Sequence, residues 1–243
     1  MLVRSASVKE QRGVGLVELM VGMAVGLLIV AAATSVYITS LRGGNDALRS
    51  AKLNIELRGA MDLMTSEIRR AGYWPANGAS LTGNPFTQAT TNIKDIGNNC
   101  IVFSYDKNSN GTSDTASDTT DFLGFRLGSQ DIDMRISGTN TSDCTSGSWE
   151  SLTDSRTVII DTLTFNITYQ CLNSKTNLSA IQQCASGQSL YDTAATATGK
   201  TDLVELRQVT INLTAHHVSD PLTRIQLSQV VYLRNSRIQT VGI

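Results

Sequence analysis

Residues 13–41 read GVGLVELMVGMAVGLLIVAAATSVYITSL, and this stretch decides the fold of the chain. Its last 23 residues, from Leu19 to Leu41, contain no charged side chain. At helical rise those 23 residues reach about 34 Å, which is enough to cross a hydrocarbon core of about 30 Å. The stretch therefore predicts a membrane-spanning helix close to the N-terminus.

The charges that precede this helix predict its orientation. Residues 1–13 carry three basic side chains and one acidic side chain, so the positive-inside rule keeps them in the cytoplasm and exports the rest of the chain. A cleaved secretory signal peptide is the competing interpretation. The apolar run is too long for that interpretation, and Gly43-Gly44-Asn45 does not offer a small-x-small cleavage site.

The composition of the 243-residue chain favours a folded domain and gives no sign of nucleic-acid binding. Hydrophobic residues make up 41% of the chain and charged residues 17%, which is sufficient for one or two cores. The 20 basic and 21 acidic side chains nearly cancel, and aromatic residues are only 5% of the total. Such a chain has no basic field for phosphates and few rings on which bases could stack.

The residues that open the apolar stretch carry a signal of their own. GVGLVE at residues 13–18, preceded by Arg12 and followed by an uncharged helix, resembles the type IV prepilin signal. The resemblance implies that a prepilin peptidase removes residues 1–13 by cutting between Gly13 and Val14, and that the new amine of Val14 is methylated. Members of this class usually have Phe where this chain has Val14.

Glu18 is a carboxylate inside the apolar run, where an ionised group is costly and commonly functional. We hypothesise that it meets the Val14 ammonium of a neighbouring chain and sets the axial register of a helical bundle. Two other interpretations remain open. Glu18 could pair with its own N-terminus, four residues away, or lie in the headgroup layer without a partner.

A second helical pattern follows the apolar one. Apolar residues at helical spacing from Leu53 to Ile68 predict an amphipathic continuation of the helix over 42–74, with a kink or melted turn allowed at Gly43-Gly44 and an end at Gly72. The opposite face is of mixed charge and includes Glu56 and Glu67. We interpret that face as solvated, with a subunit contact in a fibre as the alternative.

The residues at the end of this helix resemble particular subgroups of the type IV pilin class. EIRRAGYW at residues 67–74 resembles the helix end of PilW-type minor pilins and, less closely, of GspJ pseudopilins; VVYLRN at 230–235 is similar to the last PilW strand. The resemblance implies a minor pilin that helps initiate type IV pilus assembly at or near the fibre tip. Its partners would be the major pilin, other minor pilins, the prepilin peptidase, a tip adhesin and, before assembly, inner-membrane lipid.

Residues 75–243 predict a β-rich periplasmic domain. Alternating patterns predict strands, and polar tracts predict the long loops between them. Together with the long helix these strands predict an α+β pilin fold, with an antiparallel sheet packed on the helix. The predicted strands are 101–105, 122–127, 157–170, 203–218 and 224–234, and the predicted loops are 76–99, 106–120, 137–150 and 172–202.

All four cysteines belong to the part predicted to be exported, and none has CxxC spacing. Oxidising conditions outside the cytoplasm favour two disulfides, for which three connectivities exist. We favour Cys171 with Cys184, which would close a polar loop leaving a strand. By remainder, Cys100 would then pair with Cys144.

One polar loop is similar to the start of a calcium-binding loop. DKNSNGTSD at residues 106–114 places oxygen ligands at its first, third, fifth and ninth positions and Gly at its sixth. Its twelfth position is Ser117, where a bidentate Glu belongs. A hairpin turn at Asn110-Gly111 is the alternative. The candidate ligands are Asp106, Asn108, Asn110, Thr112 and Asp114.

The sequence gives little support to catalysis. His216 and His217 are adjacent in a predicted strand and therefore point to opposite faces. No P-loop, HExxH, nucleophile elbow or GxGxxG is present, and no cofactor other than calcium is expected. We predict a structural protein of the inner membrane and then of the extracellular pilus. The alternatives are a secretion pseudopilin and a tip module that binds a surface or DNA.

Overall fold

A computed structural model describes residues 13, 15–75, 83–115, 120–173, 181–183 and 200–242, with the backbone alone at 171–173, 181–183, 200–203 and 238–242. The chain divides into two compact units, residues 1–49 and 50–243. One helix, α1 (Leu16–Arg70, 55 residues), contributes to both. Gly43 and Gly44 lie within this helix, so no melted turn interrupts it.

In the first unit, the helix has the length and composition to cross a membrane. Every described side chain up to Arg49 is exposed. The hydroxyls of Thr34 and Thr39 donate to the carbonyl oxygens of Val30 and Ser35, at 2.8 and 3.0 Å. Hydroxyls satisfied within their own helix suit an environment that offers no water.

In the second unit, the rest of α1 packs on two antiparallel sheets. Sheet A is a meander of five strands in chain order. Sheet B has the order β10-β8-β6-β7, and β9 also pairs with β8. Sheet A consists of β1 (Lys94–Ile96), β2 (Cys100–Ser104), β3 (Phe122–Leu127), β4 (Ile132–Ser137) and β5 (Ser148–Ser151). Sheet B consists of β6 (Val158–Asn173), β7 (Ile181–Gln183), β8 (Lys200–His217), β9 (Asp220–Tyr232) and β10 (Arg237–Gly242).

One hydrophobic core joins the helix to both sheets, and all of its residues fall between 50 and 243. The predicted helical stripe from Leu53 to Ile68 is buried in it. Phe103 and Phe125 contribute from sheet A, and alternate residues of β6 and β8 contribute from sheet B. The buried residues recur at spacings of three and four on α1 and of two along β8, so each of these elements presents one apolar face, whereas β2 is buried at every position. The α+β pilin fold is confirmed.

The five predicted strand ranges are all strands, with ends shifted by a few residues. The predictions missed β1, β4, β5, β7 and β10, and two of these, β1 and β7, lie inside ranges predicted as loops. Four of the five missed strands are edge strands or short segments without a clear apolar alternation. Their pairing with a neighbour, rather than a local pattern, makes them strands.

Candidate assembly site and the elements that support it

The predicted assembly residues open α1. Glu18 lies in the first turn of the helix, where a carboxylate suits the positive end of the dipole, and its side chain is exposed. The backbone amides of Glu18 and Leu19 donate to the carbonyl of Gly15 at 3.0 and 3.2 Å and begin the helix. Val14 lies outside the described residues. Cleavage after Gly13, methylation of Val14 and its pairing with Glu18 therefore stay predictions.

At the other end of α1, side chains from distant parts of the chain bind the free carbonyls. Asn84 Nδ2 donates to the carbonyl of Gly72 at 2.9 Å, and Asn235 Nδ2 donates to those of Arg70 and Ala71 at 3.1 and 3.2 Å. Gly72 has φ +74°, the left-handed conformation that ends a helix most readily with glycine. Gly72 confirms the predicted helix end. The two asparagines were not predicted, because their role depends on contacts far apart in sequence.

Two acidic residues of the helix bind within the second unit. The Tyr105 hydroxyl donates to Glu67 Oε2 at 2.6 Å, and burial together with Glu67 raises the pKa of Tyr105 well above its usual range, so the hydroxyl stays a donor. Glu56 accepts from the Asp154 amide at 2.8 Å and the Thr157 hydroxyl at 3.0 Å. These two carboxylates are therefore held within the second unit rather than solvated, whereas a subunit contact by the rest of the polar face stays a prediction.

Tyr73 and Trp74, just beyond the helix, contact the predicted calcium loop. Trp74 Nε1 donates to the carbonyl of Gly111 at 3.0 Å, and the Asp106 amide donates to the carbonyl of Tyr73 at 2.9 Å. The segment at residues 67–74 thus fixes one side of the loop that connects β2 and β3.

The loop brings all five candidate calcium ligands together. The buried Asp106 carboxylate accepts from the Asn110 and Gly111 amides at 3.1 and 2.7 Å. Nδ2 of Asn108 and Nδ2 of Asn110 both donate to Asp114 Oδ2, at 2.8 and 2.7 Å. The Thr112 hydroxyl donates to Asn110 Oδ1 at 2.9 Å. The loop is closed by hydrogen bonds among these residues, and calcium binding stays a prediction.

The alternative of a tight hairpin turn at Asn110-Gly111 was wrong. β2 and β3 do pair antiparallel, but residues 105–121 connect them. The positive φ angles in the described part of this loop fall at Ser109 (+61°) and Gly111 (+83°), whereas a type I′ turn needs them at both Asn110 and Gly111. Asp121 holds the loop instead, because its buried carboxylate accepts from the Lys107 and Asp114 amides, each at 2.8 Å.

A disulfide joins Cys100, at the start of β2, to Cys144 in the β4–β5 loop, with the Cα atoms 6.5 Å apart. This is the second of the two predicted pairs. The first predicted pair involves Cys184, which lies outside the described residues, and Cys171, described by its backbone alone. The Cys171–Cys184 disulfide therefore stays a prediction.

Two arginines that the sequence analysis did not single out hold the same β4–β5 loop. Arg135 is fully buried and donates to the carbonyls of Ser137 and Asn140 at 3.2 and 2.8 Å and to the Ser146 hydroxyl at 3.0 Å. Arg126 stacks 4.3 Å from the centroid of the Trp149 ring and donates to the Cys144 carbonyl at 2.9 Å. The loop therefore has a covalent and a polar anchor.

Two family models match the chain. The prokaryotic N-terminal methylation motif matches residues 8–34, which include Gly13, Val14 and Glu18. The model described as prepilin peptidase-dependent protein B matches residues 46–233, about three quarters of the chain. The chain belongs to the prepilin peptidase-dependent protein B family. No curated protein and no solved structure matches it significantly.

Membership of the prepilin peptidase-dependent protein B family makes the chain a type IV pilin-like protein. The methylation motif and the apolar helix fit an inner-membrane-anchored pilin, and the family name implies processing by the prepilin peptidase. The finer assignment to PilW-type minor pilins stays a prediction, as do the domain boundaries at residues 13, 41 and 74.

Removing the disulfide with Cys100→Ser and Cys144→Ser together should lower the free energy of unfolding by about 4 kcal/mol. The physical reason is that the bridge closes a loop with a sequence separation of 44 residues and so restricts the unfolded chain. Urea denaturation followed by tryptophan fluorescence measures this, because Trp74 and Trp149 both lie in the second unit. A loss below about 1 kcal/mol would contradict the prediction.

Asp143 should make the second unit sensitive to acid. Its carboxylate accepts from the Ser146 amide and hydroxyl and from the Thr145 amide, and these bonds lower its pKa from 3.8 to about 2. Because the folded pKa is the lower one, the stabilisation exists above pH 3.8 and is lost as the pH falls towards 2. Asp143→Asn should therefore give a flatter stability curve over that range in urea titrations, with Asp131→Asn as the control.

Calcium binding by the 106–114 loop has a calorimetric test on the full chain in detergent. Titration with calcium should release or absorb heat at millimolar concentration or below, because the Asn ligands offer the ion less charge than Asp would. Asp114→Ala should abolish the signal, and Asp131→Ala, in the turn between β3 and β4, should keep it. No heat at millimolar calcium in the unaltered chain would dismiss the site.

Proposed function

We propose that the protein is a minor pilin that helps initiate type IV pilus assembly and is incorporated at or near the fibre tip. The observation that carries this proposal is the coincidence of two matches on one chain. The methylation motif covers the apolar start of α1, and the family model covers the unit with the core. The role is structural rather than enzymatic, and the partners are the major pilin and sister minor pilins.

The physical basis of assembly would be the change of surroundings of the apolar helix. In the first unit every described side chain is exposed, so its apolar residues need lipid before assembly and other helices afterwards. Glu18 is the one charge between Gly13 and Leu41, and leaving it unpaired among helices costs several kcal/mol by order of magnitude. Pairing with the Val14 ammonium of a neighbouring chain removes that cost, but only at one axial offset between the two helices.

A GspJ-like pseudopilin of a type II secretion system is the second candidate. The observation that favours it is the same methylation motif, because a secretion pseudopilus would need the same processed and staggered helices. The two candidates differ in the machine that the protein serves, not in its chemistry. The third predicted role, a tip module that binds a surface or DNA, is compatible with either.

Mass spectrometry and deletion separate these possibilities. In cells with the prepilin peptidase, the isolated chain should begin at a methylated Val14, and in cells without the peptidase it should keep residues 1–13. Deleting the gene should lower the number of pili per cell while leaving secreted proteins unchanged.

Each remaining outcome of this experiment is informative. An unprocessed chain in peptidase-containing cells would overturn the pilin mechanism itself. Normal piliation with a loss of secreted proteins would favour the pseudopilin. The minor-pilin role would be supported if the processed chain cross-linked to sister pilins. An unrelated inner-membrane protein, which should not cross-link to the chain, is the control.

A further inference from the structure

The outer face of sheet B carries an unusual set of side chains, which we call the polar lattice. It consists of the alternate residues of β6 from Thr162 to Thr168, of β8 from Gln208 to Thr214 and of β9 from Gln226 to Tyr232. Strand pairing places these positions in four rows across three strands, so they share one face. Ten of the twelve residues are Thr, Ser, Asn or Gln, and none is charged.

The polar lattice is accessible. Its β6 and β9 residues are exposed, and its β8 residues are half-buried between them. With strands about 4.8 Å apart and alternate residues about 6.8 Å apart, the Cα positions span roughly 10 by 20 Å. One row is ordered by its own hydrogen bonds, because Ser228 donates to Asn212 at 2.8 Å and Asn212 donates to Thr164 at 3.4 Å.

The other polar side chains of the lattice have hydrogen-bonding capacity left over. Within the part of the chain that the structure describes, no side-chain hydrogen bond involves Thr162, Thr168, Thr210 or Thr214. A hydroxyl both donates and accepts, and an amide offers two donors and a carbonyl acceptor. The lattice therefore suits a ligand that itself presents many closely spaced hydroxyl groups.

The lattice itself offers no charge to an ionic ligand. Charged residues stand beyond its ends: His216 Nδ1 and Arg224 Nε lie 3.0 and 3.9 Å from Asp161 at one end, and the exposed Arg234 follows Tyr232 by two residues at the other. A polyanion such as DNA draws its affinity from Lys and Arg, which the lattice lacks. A neutral face is complementary to a neutral partner.

One corner of the lattice is apolar. Tyr232 is 68% exposed and the neighbouring Val230 is 41% exposed. A tyrosine gives a flat apolar surface and a hydroxyl at little cost in entropy. Such a ring can cover the C–H face of a sugar while the adjacent Gln208 and Thr210 meet its hydroxyls.

A second pilin subunit fits this face less well. The lattice covers roughly 200–400 Å², whereas a stable protein–protein interface buries about 800 Å² on each partner and has an apolar centre. With ten polar positions among twelve, the lattice has no such centre.

We propose that the polar lattice binds a neutral polysaccharide, with Tyr232 stacking on a sugar ring and the Thr, Asn and Gln side chains binding sugar hydroxyls. This inference goes beyond the minor-pilin role and does not require it. It depends only on residues of the second unit, whose core is self-contained.

Sedimentation with insoluble polymers tests the proposal on the full chain, in a detergent without a sugar headgroup. Cellulose, chitin and starch are the probes, and at least one should retain the protein. Tyr232→Ala and Thr210→Asp should each lower the bound fraction at least fivefold, since one removes the ring and the other places a charge in the lattice. Raising the salt concentration should leave binding unchanged.

Two matched controls isolate the face. Gln229→Ala changes an exposed residue of β9 that points away from the lattice, and Tyr73→Ala removes a partly exposed tyrosine elsewhere; both should bind like the unaltered chain. Tyr232→Ala, Gln229→Ala and Tyr73→Ala change exposed residues and should keep the unaltered urea midpoint. Thr210→Asp changes a half-buried position of β8 and should remain folded in the binding buffer, which urea denaturation checks. The proposal would be overturned if the unaltered chain bound none of the three polymers. It would also be overturned if both lattice variants bound as well as the unaltered chain. DNA binding or self-association that the lattice variants abolish would overturn it as well.

Discussion

Replacing Glu18 with alanine should leave the chain cut and methylated but reduce its incorporation into filaments at least tenfold. Cleavage needs the residues at the cut, whereas register needs the carboxylate. Without it, the Val14 ammonium of the neighbouring chain would stay unpaired in the helical bundle, at a cost of about 3 kcal/mol, equivalent to a factor of about one hundred. Quantitative mass spectrometry of purified pili and of the membrane fraction measures both results in one culture.

Two variants control this result. Glu18→Asp keeps the charge and should restore part of the incorporation, and Asp46→Ala removes an exposed carboxylate from the same unit and should have no effect. If Glu18→Ala reaches filaments at the unaltered level, the register hypothesis is wrong and a location in the headgroup layer gains support. An uncut Glu18→Ala chain would instead place the residue in peptidase recognition.

Replacing Arg135 with alanine should lower the free energy of unfolding of the second unit by about 4 kcal/mol. The side chain has no exposed surface, and its loss leaves a cavity together with two carbonyl groups and a hydroxyl without their donor. A Cβ at Gly138 or Gly147 would meet Arg135 at 2.3 or 2.8 Å, so the loop is shaped around the guanidinium. Urea denaturation followed by tryptophan fluorescence is the measurement.

Arg156 provides the matched control for this variant. Its side chain is 88% exposed and pairs with Asp154 at 2.9 Å. Exposed pairs contribute little, so Arg156→Ala should leave the stability close to that of the unaltered chain. Arg135→Lys should retain the charge but lose the guanidinium group that reaches three acceptors. Its free energy of unfolding should therefore lie between those of Arg135→Ala and Arg156→Ala. Equal stabilities for Arg135→Ala and Arg156→Ala would contradict the buried-arginine account.

Local patterns in the sequence predicted the elements whose structure is determined locally. The helical stripe from Leu53 to Ile68, the end at Gly72 and the long strands β6, β8 and β9 all follow from apolar spacing or backbone preference. The short strands β1 and β5 do not, because each has three or four residues and becomes a strand through its neighbour.

The candidate site likewise contains features that are local in sequence and features that depend on distant contacts. The motif around Gly13 and Glu18 is contiguous, so sequence reasoning could find it. The binding of helix carbonyls by Asn84 and Asn235, and the anchoring of the β4–β5 loop by Arg135, depend on contacts that no spacing rule reveals. Glu56 and Glu67 were misjudged for a related reason, since a charge on a helical surface is solvated only if no other element covers it.

The contacts that hold the C-terminal part of α1 have a mechanical consequence. Tension along this helix would not detach it from the second unit residue by residue, because Glu56 and Glu67 are bonded at two positions along the helix and the apolar stripe between them lies inside the core. Rupture would require shearing all of these contacts together, the loading geometry in which many weak bonds share the force. In the pilus proposed above, a subunit built in this way would bear tension without unravelling.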